Sequence, residues 1–212
     1  MTPAEQLVEH ARMMSRRARR PGSDGWRHGS IHDVVLAHGR IFEPAPLPAN
    51  IYPALPGHAC QAATILADQH ALTYVEGLAL LPDMHTVIEH AWCADFTGQV
   101  IDPNLSGQSA AAYLGIAFTM NFRRTTLAGP TGMRPILISD PAGTANPNLE
   151  ILKHGLLPES TLEIGKPYGR PRAASTDASR ERPAQNATAG GSPCSTASGT
   201  GVPTRDRLAS AA

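Results

Sequence analysis

Cysteine is scarce in this chain of 212 residues, which holds only Cys60, Cys93 and Cys194. An odd number in a chain long enough to bury its own core implies no disulfide framework and suits a reducing compartment. Net charge is missing too, since eighteen Lys and Arg balance eighteen Asp and Glu. The balance is uneven: residues 1–30 carry six basic against three acidic side chains, residues 169–212 the same, and residues 31–168 six against twelve. An acidic middle argues against a nucleic-acid-binding body, although the basic ends have the charge to touch anionic partners weakly. No apolar run approaches the roughly 20 residues that cross a bilayer, and the N-terminus lacks the apolar stretch of a secretory signal. The expectation is a cytoplasmic protein with no membrane and no nucleic-acid partner. Residues 169–212 also lack aromatic side chains and have only Val202 and Leu208 as larger apolar ones. Such a segment cannot bury enough surface to order itself, so a disordered tail is predicted, with Cys194 as a tail thiol.

What is present begins with a basic helix and loop over residues 1–30. Thr2, Pro3 and Glu5 form a capping box with proline at the first helical position. Leu7, Val8, Ala11 and Met14 then share one helical face, predicted to dock on the core. The basic run Arg16–Arg20 ends the helix before Pro21-Gly22. Ile31–Phe42 reads as a helix closed by Gly39, with a strand as the alternative. Glu43–Pro56 carries five prolines and is expected to be an extended surface segment, placing Asn50 and Tyr52 near whatever site follows.

Pro56-Gly57 is a turn signal, and the alanine-rich stretch from Cys60 to Ala67 is a good helix former. Cys60 therefore falls in the first turn of a helix. Unpaired N–H groups and the positive dipole end there stabilise a thiolate, and the same N–H groups suit an oxyanion. The alternative for Cys60 alone is a small buried apolar side chain.

Ala71–Leu80 and Thr86–Ala94 read as strands, followed by a third, Gln99–Asp102, stopped by Pro103. Glu76, inside an apolar run, is read as facing solvent, with a paired polar group near the site as the alternative. On the second strand Ile88, His90 and Trp92 share one face and Val87, Glu89, Ala91 and Cys93 the other. His90 and Asp102 share a face only if the hairpin loop has an odd number of residues. A three-residue loop, Phe96-Thr97-Gly98, satisfies this and sets Asp102 opposite Trp92, one same-face step from His90.

These residues together resemble the transglutaminase-like superfamily. Cys60 at a helix start, then Tyr74-Val75-Glu76-Gly77, then His90-Ala91-Trp92, then Asp102-Pro103 follow its order and spacing, and the resemblance spans about residues 57–120. The Tyr113-Leu114-Gly115 stretch is similar to that of small bacterial and phage-type members. The resemblance implies an α+β, papain-like core over residues 31–168, with the nucleophile helix packed on a small antiparallel sheet. It also implies a Cys60–His90–Asp102 triad acting on a peptide, amide or ester substrate, with no cofactor. Ser109–Asn121 is apolar and reads as either helix or strand; the resemblance favours a short helix followed by Gly115–Phe118 as strand or loop. Asn104 stands where the family commonly has Thr, and Gln61-Ala62-Ala63 departs from its pattern after the cysteine. Asn50, Gln61 and Trp92 are the candidates for contacting the substrate or its oxyanion, with packing beside the hairpin as the other role for Trp92.

Two further readings compete. A transglutaminase-like module that binds a partner without catalysis would carry the same residues with Cys60 occluded or His90 out of reach. A structural metal site would draw on His85, His90, Cys93 and Asp95. The chain has no C-x-x-C or H-x-x-x-H pair, and His90 and Cys93 fall on opposite strand faces, so no metal ligand is assigned. Downstream, Arg123-Arg124 is read as a solvated edge. Residues 127–148 read as loops around a short strand at Pro135–Ile138, and Asn148–His154 as a helix with Asn148 as its N-cap, closed by Gly155.

Overall fold

The computed structural model describes residues 1–19, 21–55, 57–83, 85–105, 109–127, 135–138 and 148–169. The predicted tail with Cys194, and most of the loop region before residue 148, lie outside the described residues. What is described is mixed helix and sheet. The helices are α1 (Pro3–Arg17), α2 (Ile31–His38), α3 (Ala59–His70), α4 (Met120–Leu127) and α5 (Asn148–His154). The strands are β1 (Arg40–Phe42), β2 (Thr73–Leu80), β3 (Val87–Ala94), β4 (Val100–Ile101), β5 (Ala112–Phe118) and β6 (Thr161–Leu162). No described helix is long and apolar enough to cross a membrane.

Local chemistry sets the helix starts. Thr2 and Glu5 exchange backbone and side-chain hydrogen bonds as the expected capping box. Ser30 and Asp33 form a second one at α2, which the sequence reading had not singled out. The stretch 31–42, read as a helix or a strand, is both in turn: the helix ends at His38 and Gly39 leads into β1 in an extended conformation, φ −69° and ψ 162°.

The strands form one antiparallel sheet in the order β1-β5-β2-β3-β4, with β6 also on β5. Its two ends meet. Glu43, just after β1, bridges Gln99, just before β4, and Val100 N–H donates to Glu43 O at 3.0 Å. The sheet is thereby curled, with an inner and an outer face. Strand alternation fills the inner face with Phe42, Val75, Ala79, Trp92, Tyr113 and Ala117. Trp92 is fully buried at its centre, edge-on to Phe42 with ring centroids 5.7 Å apart and 5.0 Å from Tyr113. Gly115 is required beneath it, because a Cβ there would lie 2.5 Å from the indole.

The outer face carries Tyr74, Leu78, Leu80, Ala91, Cys93 and Leu114, covered by α1, α2 and α3. Leu7, Val8 and Ala11 of α1 are buried in this layer, as their helical spacing predicts.

Several expectations are corrected. Ala112–Phe118 is a central strand, not a short helix leading into a strand, because β5 pairs with β1 and β2 on either side. Pro135–Ile138 is a bent segment, not a strand. Arg123 is buried, not a solvated edge: its guanidinium bonds Asp68, donates to Thr64 O at 3.3 Å and lies 5.8 Å from the Tyr74 ring centroid. Asn148 is the first residue of α5, and Gly155 follows the helix at φ 82°.

Candidate functional site

The β3–β4 hairpin decides where His90 and Asp102 go. Asp95 and Gln99 close it, with Asp95 N–H donating to Gln99 O at 3.1 Å and Gly98 N–H to Asp95 O at 3.1 Å. The loop is Phe96-Thr97-Gly98, with Gly98 at φ 89°, and Ala94 pairs with Val100 and Cys93 with Ile101. The parity expected of a three-residue loop therefore holds, and Asp102 falls beside Trp92 on the inner side. His90 Nε2 and Asp102 Oδ2 are 2.8 Å apart.

Four donors surround that carboxylate. The Tyr113 hydroxyl reaches Oδ2 at 2.9 Å beside His90, while Oδ1 takes the backbone N–H groups of Asn104 at 2.9 Å and Leu105 at 3.2 Å. Burial by itself would raise the carboxyl pKa. The bond and charge of His90, with help from Tyr113 and Leu105, outweigh it and hold Asp102 below its ordinary value. Burial and the adjacent carboxylate push the Tyr113 phenol far up, so it stays a neutral donor. Asp102 as acceptor requires His90 to carry its proton on Nε2. Both side chains are about 5% exposed, and the imidazole stacks on Trp92 with centroids 6.2 Å apart and an interplanar angle of 18°.

Cys60 stands where its neighbours predict, in the first turn of α3, half-buried. His58 at the N-cap supplies no side-chain hydrogen bond to the first-turn amides. The helix packs on the outer face, and Cys93 Sγ donates to Ala63 O at 3.1 Å. His90 and Trp92 point inward, and Cys93 and Ala91 outward. The structure thus joins imidazole and carboxylate inside the curl and seats the thiol in the outer layer. β4 pairs with β3 only at Cys93 and Ala94, so alongside His90 that edge of β3 has no strand partner among the described residues.

In the outer layer the Tyr74 hydroxyl donates to Glu76 Oε1 at 2.6 Å. Glu76 is fully buried, which corrects the reading of it as solvent-facing. Its other donors are the N–H groups of Ile136 at 2.7 Å, Leu137 at 2.7 Å and Ile138 at 3.0 Å. Burial raises its pKa and those donors pull it back only in part. Tyr74 is raised well above its ordinary value, by burial first and then by the charge of Glu76.

Comparisons with family models, with curated proteins and with solved structures give no match.

The remaining candidates separate. Asn50 is exposed and lines a cleft of about 260 Å³ with Tyr52, Ala62, Ile65, Gln69 and Pro103, next in sequence to Asp102. Gln61 is exposed in the first turn of α3. Trp92 is corrected as a substrate contact: it is 0% exposed, and its buried Nε1 has no hydrogen-bond partner. A larger cleft of about 480 Å³, between α1 and Tyr168, holds none of these residues. Among the described residues no three His, Cys, Asp or Glu side chains are grouped to hold a metal ion. Tyr113 and Tyr74 were missed by sequence reading. Both stand in stretches that carry the family resemblance, and Tyr74 and Glu76, two apart on one strand, put a polar pair on one face of an apolar run.

Proposed function

We propose that this chain is a transglutaminase-like, papain-like thiol enzyme that cleaves or transfers an acyl group through Cys60, His90 and Asp102. The observation that carries the reading is the buried His90–Asp102 pair at 2.8 Å, in which Nε2 is committed to the carboxylate and Nδ1 is left as the base. Its support also includes Cys60 at a helix start whose amides His58 does not cap. In this reading thiol and imidazole meet past the edge of β3 beside His90, which has no strand partner among the described residues.

In this mechanism His90 takes the Cys60 proton, and the sulfur forms a bond to the carbonyl carbon of a peptide, amide or ester. First-turn amides of α3 hold the oxyanion. The C–N or C–O bond then breaks, and the leaving group departs with the proton from His90. Water or an amine, deprotonated by His90, releases the acyl group and restores the thiol. Asp102, kept charged by its four donors, stabilises the imidazolium, and no cofactor enters. Asn50 in the cleft beside Pro103 and Gln61 on the first turn are the side chains nearest to a bound substrate in this reading.

A second reading is a binding module without catalysis. It is favoured by strand alternation, which turns His90 inward while α3 packs outside. One experiment separates the two: alkylation of Cys60 by iodoacetamide across pH in wild type, His90→Ala and Asp102→Asn. The enzyme reading expects the profile to move in both variants. Superimposable profiles in all three proteins leave the binding module.

A further inference from the structure

The cleft beside Pro103 has two walls of different origin. One is a single face of α3, where Ala62, Ile65, Leu66 and Gln69 follow helical spacing. The other is the connector at residues 50–54, which is held at two points: Ile51 is buried in the core, and Ala54 N–H donates to Pro103 O at 2.9 Å. Between those fixed points the chain turns Tyr52 outward, 88% exposed, while Ile65 on the helical wall is 39% exposed. Two large apolar side chains therefore stand in water at the walls of a cleft floored by buried Leu66 and Pro103.

Size and charge narrow what fits. At about 260 Å³ the cleft is smaller than the roughly 300–1,000 Å³ of pockets that enclose a whole small molecule, so it suits one side chain of a longer ligand. Of the described residues along it only His70 titrates, and that residue ends α3, away from Cys60. Asn50 and Gln69 contribute side-chain amides, each both donor and acceptor, which match the N–H and C=O of a peptide group.

We propose that this cleft is a specificity subsite that takes an uncharged apolar side chain, of leucine or phenylalanine size, from a peptide substrate. Its place in a reaction rests on the acyl-transfer reading, whereas the binding itself does not. Ala62 shares the first turn of α3 with Cys60, and Pro103 follows Asp102, so the cleft adjoins both halves of the proposed site. It does not face the sulfur. The residues three, four and seven places after Cys60, namely Ala63, Thr64 and Ala67, are buried, and the cleft lies on another side of the helix. The side chain that fills it therefore belongs to a neighbour of the residue whose carbonyl is attacked, and the peptide passes the start of α3 at Gln61.

The test reads binding apart from turnover. Full-length Cys60→Ala protein is titrated with acetyl-Gly-X-Gly-amide peptides, X being Leu, Phe, Ala or Glu, and followed by ¹H–¹⁵N NMR. The Leu and Phe peptides are expected to move the amide signals of Tyr52, Ala54 and Ile65. They should bind roughly tenfold more tightly than the Ala peptide, the effect of burying one large apolar side chain, with the Glu peptide weakest. Ile65→Asn, at an exposed helical position, is expected to remove that preference, and Tyr52→Ala to reduce it. No binding, equal binding of the four peptides, signals that move elsewhere, or a preference that survives Ile65→Asn each overturns the subsite. The unsubstituted chain, incubated with the same peptides and analysed by mass spectrometry, keeps the two readings apart. Apolar preference without cleavage bears out the cleft and counts against the triad; cleavage without apolar preference does the reverse.

Discussion

The two faces of the curled sheet treat a buried carboxylate in opposite ways. On the inner face Asp102 meets an imidazole as well as neutral donors, and its pKa is held down. On the outer face Glu76 has as many hydrogen bonds but no cationic partner among the described residues, and burial leaves its pKa raised. The number of hydrogen bonds is the same, four to each carboxylate. The difference lies in whether a donor can also carry charge, and a titratable ring can where an amide cannot.

That contrast can be broken most severely at the side chain under His90. Trp92→Ala would empty the centre of the inner layer, and a loss of about 3–5 kcal/mol in urea unfolding is expected. Glu76→Ala comes next. It leaves three backbone N–H groups and a phenol without their acceptor, costing about 2–4 kcal/mol in the same measurement. Gly98→Ala is smaller, about 1–2 kcal/mol, since alanine at φ 89° is strained and its Cβ would meet Gly165 Cα at 3.0 Å. If Gly98→Ala also weakened the His90–Asp102 pair, seen as a shift in the histidine titration by NMR, the turn would be holding the pair together as well as setting its parity.

Acid sharpens the same contrast with a smaller effect. Asp102 has a native pKa below its unfolded value, so it contributes stability above about pH 4 that is lost as pH falls through the native value. Glu76 has a native pKa above its unfolded value, so its ionisation costs stability at higher pH. That cost disappears on acidification toward about pH 4.3. Lowering the pH from neutrality should therefore first raise the urea midpoint and then reduce it. Glu76→Gln should lose the rising limb and Asp102→Asn should lessen the falling one. A monotonic fall in Glu76→Gln and wild type alike would show that the outer carboxylate is as well paired as the inner.

Much of the site's local placement was legible because it depends on neighbours in sequence. The turn before Cys60 and the alanines after it put that residue in a first helical turn, and hairpin parity paired His90 with Asp102 across a loop of three. Glu76 was not legible in the same way. A carboxylate in an apolar strand is solvent-facing unless something reaches it, and what reaches it are backbone amides sixty and more positions along the chain. Tyr113 was lost for a related reason: its stretch reads equally as helix or strand and the resemblance favoured a helix, while strand neighbours on both sides made it sheet.

Periodicity, capping and turn length, which act over a few residues, were enough for the sequence to determine the starts of α1 and α3, the hairpin register and the meeting of imidazole with carboxylate. Which layer each group occupies was decided only when the sheet curled and α3 settled on its outer side. That choice depends on contacts between distant segments: Glu43 with Gln99, Ala63 with Cys93, and Glu76 with the amides of Ile136–Ile138. A strand carries its alternation in its own residues, but which of its two sides becomes the interior depends on what packs against it.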